Sequence, residues 1–241
     1  MSGFPILPAE ATAAQARQVL EAAGWALVGA GDWSWVLADP GGAWAARLSP
    51  FDPGYRMFAE ACLAGPANRW LPRVDEVVPL RDDAYAVFMQ RLWPAPEAEA
   101  SAFCAALGIA NDTGYAAPVA GPAVDAGDPD LAVVRDRVRA LMAEGAARYR
   151  LWAGSDIREG NVMVEAGGQL KLVDPIGVAG WKIVQALREG RADLLSDFSR
   201  RQLEDFLTIP FFGPGREGEA QRGEIEGWIA RLYSEAGSAA G

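Results

Sequence analysis

The sequence predicts an α+β fold in which a small antiparallel sheet with one inserted helix precedes a larger, mainly helical region. Three observations lead there. Short runs rich in Trp, Val and Leu, divided by turn residues, fill residues 25–49 and return at 75–92. From residue 128 onward helical periodicity dominates, interrupted only by apolar strand segments between about 150 and 178. The chain has 241 residues, 51% of them hydrophobic, which supplies a core for one large domain or two small lobes.

The elements follow in order. EATAAQARQVLEAA (10–23) is an Ala-rich helix stopped by Gly24. WALVGAG, DWSWVLAD and AWAARLS read as strands, with Asp39-Pro40-Gly41-Gly42 as the hairpin turn between the last two. GYRMFAEACLA (54–64) returns to a helical period, with Met57, Phe58 and Ala61 on one side. DEVVPL and AYAVFMQRL form two more strands around Arg81-Asp82-Asp83. Residues 93–128, rich in Pro, Ala and Gly, hold one short helix at 97–107. Asp128-Pro129 opens a helix with Leu131, Val134, Val138 and Leu141 in register. RLWAGSDIREGNVMV and QLKLVDPIGV are loop and strand segments joined at Gly167-Gly168, and helices are expected over 181–207 and 217–235. The division falls after the second strand group, giving a sheet-bearing lobe at 1–91 and a helical lobe at 92–241.

Absences narrow the chemistry. With no histidine, Ser-His-Asp triads, Cys-His dyads and His-ligated zinc are excluded. The two cysteines, Cys62 and Cys104, form no CxxC pair, so a reducing, cytoplasmic setting is expected and chemistry must rest on carboxylates, amides, Arg, hydroxyls and bound cofactors. No apolar run is long enough to span a membrane, and the N-terminus lacks the pattern of a secretory signal. A net charge of −10 disfavours nucleic-acid phosphates as partners and is compatible with a cationic substrate. Only Lys171 and Lys182 are lysines against twenty arginines.

The most informative stretch is Gly154-Ser155-Asp156-Ile157-Arg158-Glu159-Gly160-Asn161-Val162-Met163-Val164, followed by Leu172-Val173-Asp174-Pro175. An Asp and an Asn five apart, an apolar strand, a Gly-Gly turn, a second strand and a terminal Asp resemble the catalytic loop and metal segment of the protein-kinase-like superfamily. The pattern is most similar to aminoglycoside-phosphotransferase-type enzymes, whose loop carries D-x-x-x-G-N. Upstream, Gly29-Ala30-Gly31-Asp32-Trp33-Ser34-Trp35-Val36 matches G-x-G-x-x-G-x-V with Ser34 at the third glycine. Arg47 stands where the family has its phosphate-binding Lys, Glu60 where it has the partner Glu, and Gln90 to Leu92 where a hinge meets the adenine. Ordinary structural alternatives exist for each piece: turn and capping residues at 156, 161 and 174, a turn-forming hairpin at 29–31, an exposed strand Arg, a solvated helix Glu.

The resemblance covers roughly residues 25–180 and implies a bilobal protein-kinase-like fold. It further implies ATP-dependent, Mg²⁺-assisted transfer of the γ-phosphoryl group to a hydroxyl of a small molecule. Phosphoryl transfer needs a carboxylate to hold the attacking hydroxyl in line and hard oxygen ligands for the cation. On that reading Asp156 accepts the proton, Arg158 contacts the γ-phosphate, and Asn161 and Asp174 hold Mg²⁺. Gly29, Gly31, Ser34 and Val36 cover the phosphates, and Arg47, steadied by Glu60, grips them. Arg in place of Lys at 47 and the atypical glycine loop keep a second class open, a pseudokinase acting as a binding module. Protein phosphorylation on a basic substrate and nucleotidyl transfer on the same scaffold are further alternatives. Asp174-Pro175-Ile176-Gly177 in place of Asp-Phe-Gly, with no Ala-Pro-Glu after it, argues against an ordinary protein kinase.

Overall fold

Thr12 starts the first helix by a reciprocal cap: its Oγ1 accepts from the Gln15 backbone N–H, and Gln15 Oε1 accepts from the Thr12 N–H. This helix, α1 (Ala13–Ala22), ends as expected at Gly24, whose φ of +87° only glycine adopts freely. The computed structural model describes residues 3–110, 124–178 and 180–238. After α1 come β1 (Ala26–Ala30), β2 (Trp35–Ala38) and β3 (Trp44–Ser49), then α2 (Pro53–Ala64), β4 (Val74–Pro79) and β5 (Tyr85–Gln90). Their antiparallel order is β1-β2-β3-β5-β4.

Period-two alternation gives this sheet two apolar faces. Ala46 and Leu48 of β3, with Ala86 and Phe88 of β5, face Leu20 of α1 and Trp25. Ala45, Val87 and Met89 face the other way, onto Tyr55 and Phe58 of α2. That second face continues into Leu131, Val134 and Val138, so one apolar core runs from the sheet into the helical region.

The helical region contains β6 (Trp93–Pro94), α3 (Glu97–Leu107), α4 (Pro129–Arg148), β7 (Trp152–Ser155), β8 (Val162–Val164), β9 (Leu170–Leu172) and β10 (Ile176–Val178). It ends with α5 (Gly180–Arg188), α6 (Ala192–Leu195), α7 (Arg200–Phe206) and α8 (Arg216–Ser238). Asp128 caps α4, accepting from the Asp130 N–H, and also receives the Trp70 indole N–H and the Arg69 guanidinium. No helix among the described residues is long and apolar enough to cross a membrane. The fold is therefore α+β with a small antiparallel sheet and several helices, as the sequence predicts. Two local expectations change. The helical stretch expected over 181–207 divides into three helices, because Gly190 at φ +67° ends α5 and Ser199, boxed with Gln202, caps a new start. The two-residue β6, paired with β8, is too short for any periodicity to reveal it. Of the Pro/Ala/Gly-rich stretch expected at 93–128, residues 111–123 lie outside the described residues.

A polar latch joins the sheet to α7. Asp82 and Asp83 sit in the left-handed region, at φ 59° and 66°, and meet Arg201 and Gln202 respectively. Beneath them the buried Asp205 Oδ2 has no hydrogen-bond partner among the described residues. Burial, with Asp82 beside it, pushes the Asp205 carboxyl up to about 6. A carboxyl raised in the folded state contributes its full share of stability below its ordinary value, and loses it as pH rises toward 6. Asp205→Asn is therefore expected to raise stability by about 1 kcal/mol, roughly 2–4 °C in Tm, at pH 7.5. Thermal melts across the pH range check this: the advantage should vanish near pH 4.

Candidate active site

Four chain segments meet in one cleft of about 910 Å³ between sheet and helices: the β1–β2 turn, β3, the 156–161 loop and the β9–β10 connection. Asp156 follows β7, and its backbone N–H donates to the Pro175 carbonyl at 2.8 Å, which ties the loop to the strand ribbon. β7 and β10 pair with Ser155 opposite Ile176, so the turn carrying Asp174 lies beside Asp156. A 3-10 turn at Glu159–Asn161 brings Asn161 back, and its Nδ2 donates to the Asp156 carbonyl at 2.8 Å and to Asp156 Oδ2 at 2.9 Å. The same carboxylate oxygen accepts from Arg158 Nε at 3.2 Å. The Asn161 carbonyl in turn accepts from the Val173 N–H, one residue before Asp174.

Arg47 reaches this cluster from β3. Its Nη1 donates to Asp174 Oδ2 at 2.8 Å and its Nη2 to Asp52 Oδ2 at 3.0 Å, and its guanidinium carbon lies 3.5 Å from the centre of the Tyr55 ring. A fork that bridges two carboxylates while stacking on a ring is geometry that arginine supplies and lysine does not. Burial works against the Arg47 charge, and the acidic neighbours, Asp174 first, outweigh it and hold its pKa above the ordinary value. Burial also raises the Asp52 and Asp174 carboxyls; Arg47 opposes the rise in each, and the Asp156 charge adds to it at Asp174.

The expected partner of Arg47 is corrected here. Glu60 points away, half-exposed on α2, and takes Arg56 Nε at 2.9 Å in an i,i+4 pair. Its place is filled by Asp52, 4% exposed, which caps α2 by accepting from the Tyr55 N–H and whose backbone carbonyl accepts from the Tyr85 hydroxyl. The Asp52-Pro53 helix-start signature, five residues after Arg47, is the signal that could have found it.

The remaining expected residues divide. Gly31, Ser34 and Val36 line the cleft with Arg47, Asp156, Arg158, Asn161 and Asp174. Gly29 does not, being paired with Val36 in the β1–β2 ladder. Gln90 and Leu92 also lie outside the lining: the Gln90 amide donates to Glu165 and accepts from the Arg73 N–H, and Leu92 packs on the main core. The backbone N–H groups of Gln90 and Arg91 are already used, by Arg73 and Ala43 carbonyls.

The β1–β2 turn is held down rather than free. Gly31 N–H donates to the Ser34 carbonyl, Ser49 Oγ donates to the Trp33 carbonyl, and the Phe211 N–H donates to the Asp32 carbonyl. The Trp33 ring enters an aromatic cluster with Phe51 and Phe206, against Gly180. A methyl group on Gly180 would overlap the Trp33 indole. Gly180→Ala is thus expected to expel Trp33 and cost about 1–3 kcal/mol, seen as a lower Tm and a red-shifted tryptophan emission.

Oxygen donors here suit a hard divalent cation, which takes one or two carboxylates and completes its shell with water and phosphate. Asn161 and Asp174 supply an amide and a carboxylate, with Arg47 on Asp174 Oδ2 alone. Among the described residues, no group of three or more acidic, cysteine or histidine side chains stands together as a metal cage.

No family model matches the chain, and no curated protein does. Among solved structures it is similar to the aminoglycoside phosphotransferase APH(4)-Ia, at 15% identity and a TM-score of 0.33, over 89% of this chain and 97% of that one. It is similar to APH(3'')-Id from Streptomyces rimosus at 12% identity and 0.34, over 92% and 99%. Cex1p gives 9% and 0.31, over 87% of this chain and 40% of its own.

Proposed function

We propose that the chain is an ATP-dependent phosphotransferase that moves the γ-phosphoryl group to a hydroxyl of a small molecule. The observation that carries the reading is the meeting of Asp156, Asn161, Asp174 and Arg47 around one cleft, from segments 127 residues apart. Asp156 is the proton acceptor: an acceptor hydroxyl beside it loses its proton to the carboxylate as its oxygen bonds to the γ-phosphorus and the bond to the β-phosphate bridging oxygen breaks. Asn161 fixes the carboxylate by its hydrogen bond, and Arg158 holds the same oxygen on the other side. Arg47 offers phosphate oxygens a planar cation. A magnesium ion held by Asn161 and Asp174 would neutralise charge on the transferred group. The lobe boundary near residue 91 belongs to the same proposal, with nucleotide between the two parts.

One observation favours a second reading, a nucleotide-binding or partner-binding module without turnover: both Arg47 Nη groups are already engaged, by Asp174 and Asp52, and its face lies on the Tyr55 ring, while its buried Nε has no hydrogen-bond partner among the described residues. A thermal-shift titration with ATP and Mg²⁺, followed by a nucleotide-consumption assay on a panel of alcohols, separates the two. Stabilisation with consumption supports the transferase, and stabilisation without it supports the module. The absence of any shift overturns the transferase.

A further inference from the structure

The far end of the cleft differs from the charged end. β7 and β10 run as a ribbon from Asp156 and Asp174 toward Trp152 and Val178, a length of roughly 13 Å at strand rise. Along it the lining becomes Trp33, Trp181, Phe206, Ile209 and Phe211, with Lys182 as the cation. Trp181 is 67% exposed and Phe211 59%, unusual for side chains of that size at the rim of a cavity. The Lys182 ammonium donates to the Trp152 carbonyl at 3.4 Å and, among the described residues, has no carboxylate within ion-pair distance. Among the described residues on this stretch, Asp32 is the one carboxylate lining the cleft, and Lys182 balances it in charge.

A polycationic sugar gains affinity from several carboxylates, and this wall supplies no such excess. Flat aromatic faces gain affinity from an apolar body; here Trp33 is wedged against Gly180, and the backbone that carries Phe211 is bonded to Asp32. Resting on the phosphotransferase reading of this cleft, we propose that the acceptor is an alcohol with a flat apolar body carrying an oxygen that Lys182 binds. Its body lies between Trp181 and Phe211, and its hydroxyl reaches Asp156. The ribbon sets the separation of the two polar groups, so a rigid two-ring alcohol fits better than a small or floppy one.

Calorimetric titration of the full chain without nucleotide tests this, with 6-(hydroxymethyl)-2-naphthoate as the flat probe and kanamycin as the polycationic one. The naphthoate is expected to bind at least about tenfold more tightly than kanamycin, and Trp181→Ala and Lys182→Gln are each expected to weaken it by about tenfold. Both side chains stand at the cleft rim, and a melt of each variant confirms that it is folded. Tighter binding of kanamycin, no binding of the naphthoate, or naphthoate affinity unmoved in both folded variants overturns the proposal. Failure of ATP to bind in the separate thermal-shift titration overturns the transferase reading instead, and leaves the result at this wall intact.

Discussion

Asp156→Asn is expected to lower kcat by about a thousandfold while leaving ATP affinity within about twofold. The size follows from what the substitution changes. An amide at 156 still offers an oxygen to Asn161 Nδ2 and Arg158 Nε, so the loop from 156 to 161 keeps its hydrogen bonds. The backbone tie to Pro175 is untouched. What disappears is the negative charge and with it the capacity to take a proton. Steady-state kinetics alongside a thermal-shift titration check both halves, and a variant with wild-type turnover would sink the assignment of Asp156.

Arg47→Ala should produce the largest loss of stability of any single change in the cleft. Removing the guanidinium leaves the buried Asp52 and the partly buried Asp174 with their shared cation gone. Breaking one partner out of a buried charge network costs about 3–5 kcal/mol, or roughly 6–20 °C in Tm for a chain of this length. Arg47→Lys should recover part of this, because an ammonium restores the charge but not the fork or the stacking on Tyr55. Glu60→Ala is the control. Its exposed pair with Arg56 contributes little, so melting should move by less than about 0.5 kcal/mol. Equal losses at 47 and 60 would restore the pairing that the sequence suggested.

The contrast between Glu60 and Asp52 shows where sequence reading stops. Asp156, Asn161 and Asp174 were legible because one local motif, strand-turn-strand, carries them all within nineteen positions, and local spacing constrains local geometry. Most helices and strands were legible for the same reason: Thr12, Asp52, Asp128 and Ser199 announce helix starts through their own side chains. Which carboxylate meets Arg47 depends on the rotation of α2 about its axis, and that is set by Tyr55 and Phe58 packing under the sheet. Spacing along the chain does not encode such a rotation directly. The same holds for Trp33, whose destination beside Phe206 is a contact across more than 170 positions. It holds for the far wall too, where α5, α7 and the segment around Phe211 contribute one to three side chains each.

The anchoring of Trp33 bears on how firmly one edge of the cleft is set. Withdrawing a partly buried indole from its cluster costs about 2 kcal/mol, so only a few per cent of molecules have the ring detached at any instant. The Asp32–Ser34 turn inherits that order from a contact with residues far along the chain, and loosening the one ring would unsettle this edge without altering the carboxylates beside it.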